Sequence, residues 1–474
     1  MSDKTIHFIS LGCPKNRVDS EVMLGVAQKA GYIHEDDPSE ADVIVVNTCG
    51  FIDPAKKESI DTILAMADYK EEGRCQKLVV AGCLSQRHPD EMAAELPEVD
   101  HFLGSSDMLR IGDVLRGDAG RMLVGNPADW VVAAESPRQL SSSPGSAYVK
   151  IAEGCNRSCS FCVIPQLRGK QRSRSIDDVV REVEQLVARG VVEVNLISQD
   201  TVAYGRDRPG SESLTQLVAR VAEVAGLRWL RLFYLYPETL DDGLVDLLAD
   251  HPRVLPYVDM PLQHAADGML RRMRRGHGGE RLRGVVSRLR DRVAGLTFRT
   301  AFIVGHPGET DAEFEELCEF VTWAEFDRVG VFRYSDEETA PSFALQGKVP
   351  EEVAAERHEA LMVMAQRIAR EKNARLVGQD LEVLVEGISD EHDLVLMGRH
   401  QGQAPEIDGQ VYLSGTEHLD QPLRAGQLVK VRVTQASDYD VAGEVLTVEP
   451  RLADARAERR VALRVLPSDN RDLS

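Results

Sequence analysis

Short apolar segments alternate with helical stretches along most of this 474-residue chain, and this alternation restricts the fold more than any other feature. In residues 1–125, the segments TIHFISLG, DVIVVNTCG and KLVVAGC are each followed by polar turn residues and then by sequence of helical period. VDHFLG is a candidate fourth segment. Because continuous apolar runs are typical of buried parallel strands, residues 1–125 are predicted to form an open parallel α/β sheet.

The same strand-then-helix pattern occurs six times in residues 147–376. Six such units predict a partial (βα)6 barrel with its functional residues at the carboxyl ends of the strands. The segment before it, 126–146, contains Pro, Ser and Gly near its end and is interpreted as a linker. In residues 377–446, short segments of alternating apolar and polar residues are separated by turns that contain Gly. This pattern predicts a small antiparallel β-barrel of about five strands. Residues 447–474 form a charged tail with a composition typical of partial disorder.

Composition limits the class of partner and the compartment. The formal net charge of −21 argues against a general nucleic-acid-binding protein and leaves room for a basic partner. No apolar run approaches the roughly 20 residues that cross a bilayer, and MSDKTIHFISLG does not have the pattern of a secretory signal. A cytoplasmic protein is therefore expected. In such a chain, eight cysteines favour metal binding or catalysis over disulfides.

The strongest local signal is a group of three cysteines within GCNRSCSFCVIP. Cys155, Cys159 and Cys162 have the spacing C-x3-C-x2-C and follow the first predicted strand of the second region. Three thiolates at this spacing suit a metal, and three ligands on a four-iron cluster leave one iron open to a substrate. Zinc is less favoured because it would need a fourth ligand nearby, and the next histidine is His251.

Three other cysteines end predicted strands of the first region. Cys13 follows ISLG, Cys49 follows VVNT, and Cys83 follows VVAG. Ligands of open α/β sheets bind outside the carboxyl ends of the strands, so these thiols are expected to converge. A single cysteine of this kind is often only a small buried hydrophobe, but three together favour a second cluster. Cys75 and Cys318 lack this placement, and Cys318 is interpreted as a packing residue of an amphipathic helix.

The C-x3-C-x2-C motif after the first strand of a βα barrel resembles the radical S-adenosylmethionine (SAM) superfamily, in which SAM binds the open iron. This resemblance implies that Phe161 packs near the adenine of SAM. It also implies that AFIVGHPGE, with Gly305 and Glu309, lines the adenosyl group, although the segment alone is an ordinary strand and turn. Gln199 and Asp200, in ISQDT, either contact SAM or substrate or are polar residues of a surface loop.

Two cysteine triplets followed by a small β-barrel resemble the methylthiotransferase family over residues 1–446. Its members contain an N-terminal cluster domain, a radical SAM domain and a TRAM domain. The resemblance implies two 4Fe–4S clusters, bound by Cys13, Cys49 and Cys83 and by Cys155, Cys159 and Cys162. By this resemblance, one cluster cleaves SAM, the 5′-deoxyadenosyl radical abstracts hydrogen from the substrate, and the other cluster presents sulfur. A second SAM supplies the methyl group, and an external electron donor is required.

Two features predict the substrate. SLGCPKNRVDSE is similar to members that modify the β-carbon of an aspartate in the twelfth small-subunit ribosomal protein, whereas members acting on transfer-RNA adenosine usually carry GCQMNxxDSE. Residues 380–446 contain 13 Asp and Glu against four Lys and Arg, which disfavours RNA and favours a basic protein. The alternative interpretation is a merely solubilising acidic face, and either interpretation counts against transfer RNA. The alternatives are a transfer-RNA adenosine methylthiotransferase and a non-catalytic iron–sulfur scaffold that docks on ribosomes.

Two basic stretches allow more than one interpretation. LRGKQRSR, with Arg168, Lys170, Arg172 and Arg174, either orients a carboxylate of SAM or of the target aspartate, or is a solvated loop. RRMRRGHGGERLRG, residues 271–284, either contacts a ribosome or nucleic acid or balances the charge of an acidic protein.

Overall fold

The computed structural model describes residues 4–210, 212–389, 395–449, 460, 461 and 463–466, and its N-terminal part is an open parallel sheet. The strands, in chain order, are β1 (Lys4–Leu11), β2 (Tyr32–His34), β3 (Val43–Thr48), β4 (Lys77–Gly82), β5 (His101–Leu103) and β6 (Met122–Leu123). The helices are α1 (Pro14–Lys29), α2 (Asp53–Ala67), α3 (Tyr69–Glu72), α4 (Cys83–Arg87), α5 (Pro89–Glu95) and α6 (Ile111–Arg116). The strand order is β2-β1-β3-β4-β5-β6. The predicted sheet is confirmed, and the short outer strands β2 and β6 are additions to it.

The apolar character of the central strands follows from packing on both faces of this sheet. In β1, Ile6 and Phe8 belong to the core on one side, while Ile9 and Leu11 belong to the core on the other side. Both faces of β1 are therefore buried, and its sequence does not show the alternation of apolar and polar residues that is typical of a half-buried strand.

The central region forms a six-stranded parallel sheet with the order β14-β13-β12-β11-β10-β7. The strands are β7 (Ser146–Lys150), β8 (Ala152–Glu153), β9 (Arg172–Ser173), β10 (Glu193–Ile197), β11 (Trp229–Leu232), β12 (Val254–Asp259), β13 (Thr297–Val304) and β14 (Arg328–Arg333), of which β8 and β9 form a separate pair. The helices are α7 (Ile164–Arg168), α8 (Ile176–Ala188), α9 (Leu214–Ala222), α10 (Asp242–Asp250), α11 (Asp267–Arg272), α12 (Gly279–Arg292), α13 (Asp311–Ala324) and α14 (Glu351–Ala374). The predicted partial (βα)6 barrel is confirmed. The segment expected to be one strand, AYVKIAEG, is divided into β7 and β8.

The C-terminal region is a closed five-stranded barrel with the order β15-β16-β17-β19-β18. Its strands are β15 (Asp380–Ile388), β16 (Leu396–His400), β17 (Val411–Ser414), β18 (Leu428–Ala436) and β19 (Val441–Val448). The predicted small barrel is confirmed. The pairing of β17 with β19 is parallel, whereas the other pairings of the barrel are antiparallel.

The three regions meet on the face of the central sheet opposite its helices. This face carries Tyr148, Trp229 and Tyr257, which pack with Val18 of α1 and with Leu384 of β15. The N-terminal region and the C-terminal barrel thus both cover the inner side of the partial barrel. None of the helices in the described residues is both long and apolar enough to span a membrane.

Part of the charged tail joins the N-terminal sheet. The strand β20 (Arg464–Leu466) pairs in parallel with Ile9–Leu11 of β1, and Val461 and Leu463 are buried in the N-terminal core. The tail therefore contains an ordered strand that its composition does not predict. Residues 450–459, 462 and 467–474 of the tail lie outside the described residues, as do Asp390, Glu391 and Asp393 of the acidic count.

Much of the acidic excess of the C-terminal barrel is used inside the protein. Four of its carboxylates form ion pairs with arginines of other regions, namely Glu382 with Arg228, Glu406 with Arg17, Asp408 with Arg299, and Asp438 with Arg370. These charges attach the barrel to the rest of the chain. The acidic composition is therefore weaker evidence for a basic partner than the sequence suggests.

Glu193 is the most deeply buried carboxylate between the barrel and the central sheet. Its oxygens lie 3.1 Å from Nη2 of Arg231 and 2.6 Å from Nη2 of Arg399, and all three side chains are inaccessible to solvent or nearly so. Burial alone would raise the pKa of Glu193, but Arg399 and Arg231 outweigh burial and lower the pKa to about 2. The carboxylate is therefore ionised over the whole physiological pH range.

Replacing Glu193 with alanine should lower the free energy of unfolding by about 3–5 kcal/mol, because two buried arginines lose their counter-ion. Thermal unfolding followed by circular dichroism measures this loss, with Glu184→Ala, an exposed change on α8, as the control. The stabilisation by Glu193 is present above its unfolded-state pKa of 4.5, and it disappears as the pH falls from there towards 2. Equal melting of the two variants would contradict this role of Glu193.

Candidate active site between two cysteine triplets

The N-terminal triplet, Cys13, Cys49 and Cys83, lies where three neighbouring strands end. Cys13 follows β1 and occupies the N-cap position of α1, Cys49 follows β3, and Cys83 follows β4. Because β1, β3 and β4 are adjacent and parallel, the three side chains reach the same edge of the sheet. Gly12 makes room for them, since a Cβ at this position would stand only 2.8 Å from Cβ of Cys49.

The thiols of the N-terminal triplet are close enough to influence one another. Burial, together with the nearby Cys83 and Cys13, raises the pKa of Cys49 to about 12. Burial also raises the pKa of Cys83, while Arg168 opposes this effect by donating a hydrogen bond from Nε to Sγ over 3.3 Å. Buried thiols become thiolates only beside compensating positive charge, which bound iron supplies. The donor set therefore fits an iron–sulfur cluster.

The loop triplet, Cys155, Cys159 and Cys162, occupies the loop between β8 and α7, beyond the carboxyl end of β7. Gly154 starts this loop with a φ of 84°, and a Cβ there would stand 2.3 Å from the carbonyl oxygen of Lys170, so only glycine fits. Burial raises the pKa of Cys155 to about 11 and that of Cys162 to about 12, and Cys159 adds to both shifts. All eight cysteines of the chain are free thiols.

Two arginines contact the loop triplet. Arg275 donates from Nη1 to Sγ of Cys159 over 3.4 Å, and the backbone N–H of Arg157 donates to Sγ of Cys155 over 3.4 Å. Both guanidinium groups also lie against the ring of Tyr236, at 3.7 Å for Arg157 and 4.2 Å for Arg275. In the sequence, Arg275 is only one member of the basic stretch 271–284, because no local pattern distinguishes a buried arginine from the exposed ones beside it.

Phe161 and Gly305 lie close to the loop triplet and to the end of β13. Phe161 packs against Ala266, Met269 and Met273, around α11. Gly305 follows β13 with a φ of 78°, a conformation that favours glycine. Contact of these two residues with SAM stays a prediction.

Glu309 is held inside the protein. Its carboxylate lies 3.0 Å from Nε2 of His264 and 2.7 Å from Nη1 of Arg357, and it also accepts the backbone N–H of Gly305. These contacts fix the loop that follows β13 at the carboxyl end of the sheet. They give Glu309 a structural function, and its predicted contact with SAM stays a prediction.

Gln199 and Asp200 follow β10, and neither is an exposed loop residue, since Gln199 is half-buried and Asp200 is buried. Oδ2 of Asp200 accepts a hydrogen bond from Nε of Arg157 over 2.6 Å, and the Gln199 amide donates to Glu153. Oε1 of Gln199 and Oδ1 of Asp200 are buried without a hydrogen-bond partner among the described residues. Because buried acceptors are nearly always bonded, these two atoms indicate a polar ligand with donor groups. The amino group of SAM has this chemistry.

A buried polar network connects the two triplets. Arg168 donates to Asp19 of α1 over 2.7 Å, and Lys150 of β7 donates to the other oxygen of Asp19 over 2.6 Å. Burial would raise the pKa of Glu153, but Lys150 and Arg168 hold it well below its usual range. Because Arg168 contacts Cys83 and Glu153 lies just before Cys155, the network extends from one triplet to the other.

The basic segment after the loop triplet is only partly solvated. Arg168 and Arg174 are buried, and Arg174 pairs with Asp178 and Glu182 of α8. Lys170 is exposed. Arg168 and Arg174 therefore bind carboxylates of the chain itself, whereas Arg172 donates to backbone carbonyls such as those of Lys170 and Pro127.

The remaining cysteines lie apart from the two triplets. Cys75 is buried in the N-terminal core, and Cys318 of α13 is half-buried against the helices of the central region. Among the described residues, no three His, Cys, Asp or Glu side chains are arranged tightly enough to ligate one metal ion. Thiolates that bind different irons of a cluster stand farther apart than ligands of a single ion, so this finding does not test the triplets.

Similar proteins extend over the whole chain. A relative from Sorangium cellulosum, a ribosomal protein uS12 methylthiotransferase RimO, is 68% identical over 100% of this chain and 99% of its own length. Proteins of the same name from Anaeromyxobacter sp. and Geobacter sulfurreducens are 50% and 46% identical, over 94% and 93% of this chain and 94% and 98% of their own lengths.

Family models match each of the three regions. Residues 5–104 match the uncharacterized protein family UPF0004, residues 149–321 match the radical SAM superfamily, and residues 377–446 match the TRAM domain. A solved structure of the radical SAM methyltransferase TsrM from Kitasatospora setae, with cobalamin and a [4Fe-4S] cluster bound, is similar with a TM-score of 0.52. It covers 72% of this chain and 77% of its own at 16% identity, so the likeness concerns the fold alone.

Proposed function

Because this chain belongs to the RimO family of ribosomal protein uS12 methylthiotransferases, we propose that its two cysteine triplets bind two 4Fe–4S clusters with separate tasks. The chain is a radical SAM enzyme that transfers a methylthio group and acts on uS12. In this proposal the loop triplet binds the cluster that cleaves SAM, and the N-terminal triplet binds the cluster that donates sulfur. The reacting atom of uS12 is the β-carbon of an aspartate.

The observation that carries this proposal is the contact of Arg168 with the N-terminal triplet. Arg168 ends α7, the helix directly after the loop triplet, and yet its Nε lies 3.3 Å from Sγ of Cys83. The two triplets therefore border the same buried junction, where the carboxyl ends of both sheets meet. A radical source and a sulfur donor must act on one carbon atom, and this arrangement supports that requirement.

When bound, the clusters and SAM supply a 5′-deoxyadenosyl radical, sulfur and a methyl group. The residues of the chain bind, orient and shield these groups. Oε1 of Gln199 and Oδ1 of Asp200 would accept hydrogen bonds from SAM, while Arg168 and Arg275 would compensate the negative charge of the thiolates. Phe161 and its apolar neighbours on α11 exclude water from the loop triplet.

The proposal includes the division of the chain into a cluster domain (1–125), a linker (126–146), a radical SAM domain (147–376), a TRAM domain (377–446) and a tail (447–474). The matches to residues 5–104, 149–321 and 377–446 support the three domains. The proposed reaction would also need an external electron donor. A cytoplasmic location suits both a ribosomal substrate and thiols that must stay reduced.

Mass spectrometry of uS12 tests the substrate. Cells with the gene should contain uS12 that is heavier by one methylthio group on an aspartate, and cells without the gene should contain only the unmodified protein. Methylthioadenosine in transfer RNA is the control and should be unchanged. If uS12 is unmodified in both kinds of cell, and methylthioadenosine is lost in cells without the gene, the substrate of the enzyme is transfer RNA instead. If reconstituted protein forms no 5′-deoxyadenosine from SAM in the presence of a reductant, the result would support the alternative of a non-catalytic iron–sulfur scaffold that docks on ribosomes.

A further inference from the structure

Lys15 is a buried basic side chain without a carboxylate partner among the described residues. It lies in the first turn of α1, two positions after Cys13, and is only 7% exposed. Its Nζ stands 3.1 Å from the centroid of the Tyr234 ring, which follows β11 in the central region. A lysine is rarely buried unless it is paired, so this position indicates an anionic ligand.

Four other basic side chains at this junction are neutralised by carboxylates of the chain itself. Each of four has a carboxylate oxygen within hydrogen-bond distance: Lys150 and Arg168 with Asp19 at 2.6 and 2.7 Å, Arg157 with Asp200 at 2.6 Å, and Arg138 with Glu21 at 2.6 Å. Arg275 has no carboxylate partner among the described residues either, but its guanidinium group donates to Sγ of Cys159 and to the carbonyl of Pro261. Lys15 differs from all five, because the contact of its Nζ is with the ring of Tyr234. Its charge is available for an anion that enters from outside.

Tyr234 adopts an unusual backbone conformation that brings its ring to Lys15. Its φ is 58°, which is costly for a bulky residue and persists only where the surrounding structure enforces it. Two contacts do so, since its N–H donates to Oδ2 of Asp259 over 3.0 Å and its carbonyl accepts the N–H of Thr201 over 3.1 Å. Tyr234 is therefore held in a strained conformation at the junction between the two triplets, where a substrate has to bind.

We propose that Lys15 binds the carboxylate of the substrate aspartate, and that Tyr234 positions the ammonium group through its ring. This inference rests on the proposed function, in which the reacting atom is the β-carbon of an aspartate. The β-carbon is bonded directly to the carbon of the side-chain carboxylate. Binding of this carboxylate by Lys15 therefore also fixes the position of the reacting carbon. The position is also next to Cys13, a ligand of the sulfur-donating cluster. A charge-assisted hydrogen bond supplies both affinity and orientation.

Peptide binding to the full-length, reconstituted enzyme tests this inference separately from turnover. Two labelled uS12 peptides, one with the target aspartate and one with asparagine in its place, are titrated under anaerobic conditions by fluorescence anisotropy. The wild-type enzyme should prefer the aspartate peptide, and Lys15→Met should bind that peptide about 10- to 100-fold more weakly and lose the preference. Lys15→Arg should retain much of the preference. Lys29→Met, an exposed change on the same helix, should bind as the wild type does.

Three outcomes would overturn the inference. Lys15→Met protein that keeps its preference for aspartate would show that another group binds the carboxylate. If Lys15→Met protein loses affinity equally for both peptides, Lys15 only supports the packing of the junction. An altered reduction potential of the clusters with unchanged peptide binding would assign the charge to the cluster instead. A wild-type enzyme that binds the aspartate peptide selectively but never methylthiolates it would refute the proposed function and leave the binding inference standing.

Discussion

Cys159→Ala protein should release no 5′-deoxyadenosine from SAM above the background of an enzyme-free assay. Each cysteine of the loop triplet supplies one thiolate, and loss of one leaves the four-iron cluster with two protein ligands. Cys159 is also the thiol that receives the hydrogen bond from Arg275, so the variant leaves this buried arginine without its sulfur partner. We expect the iron content of anaerobically prepared protein to fall from about eight to about four per chain.

Cys318→Ala is the matched control for this prediction. Cys318 lies on α13 in the same region and is half-buried against the helical core, away from both triplets. Its replacement should keep about eight irons per chain and the wild-type yield of 5′-deoxyadenosine. Liquid chromatography of the nucleoside products measures the yield. Normal SAM cleavage by Cys159→Ala protein would remove the loop triplet from the proposed reaction.

Cys83→Ala protein should still cleave SAM but should leave uS12 without a methylthio group. Cys83 belongs to the N-terminal triplet, and its loss removes a ligand of the sulfur-donating cluster without touching the loop triplet. The iron content should again fall to about four per chain, with 5′-deoxyadenosine still formed. The two variants therefore separate radical formation from sulfur insertion, although their iron contents are alike.

Cys75→Ala is the control in the N-terminal region. Cys75 is buried just before β4, and its Sγ donates to the carbonyl of Lys77, the first residue of that strand. It therefore resembles Cys83 in burial but does not lie at the carboxyl end of a strand. This variant should keep both the iron and the modification of uS12. Methylthiolation of uS12 by Cys83→Ala protein would rule out a sulfur-donating cluster on the N-terminal triplet.

The convergence of the N-terminal triplet was predictable because it depends only on local pattern and topology. Cys13, Cys49 and Cys83 each follow a continuous apolar run, and parallel strands place their carboxyl ends on one edge. The loop triplet was predictable from spacing alone. These features need no knowledge of distant contacts, and for this reason the sheets and the two groups of cysteines follow from the sequence.

Contacts between the regions were not predictable in this way. The pairing of Arg168 with Asp19 and that of Arg399 with Glu193 each join residues more than a hundred positions apart, and neither has a local pattern. The contacts of Glu309 were not predictable either, since His264 and Arg357, which hold its carboxylate, are distant in the sequence. Its predicted contact with SAM stays a prediction. Ion pairs of this kind depend on tertiary packing, which one sequence does not reveal.

The pairing of β20 with β1 has a consequence for biosynthesis. Residues 464–466 extend the sheet beside Ile9–Leu11, immediately before Gly12 and Cys13. Residues 464–466 are synthesised long after β1, so a nascent chain leaves this part of the β1 edge unpaired until they emerge. The strand that leads to Cys13 therefore gains its last neighbour from a segment far away in the sequence.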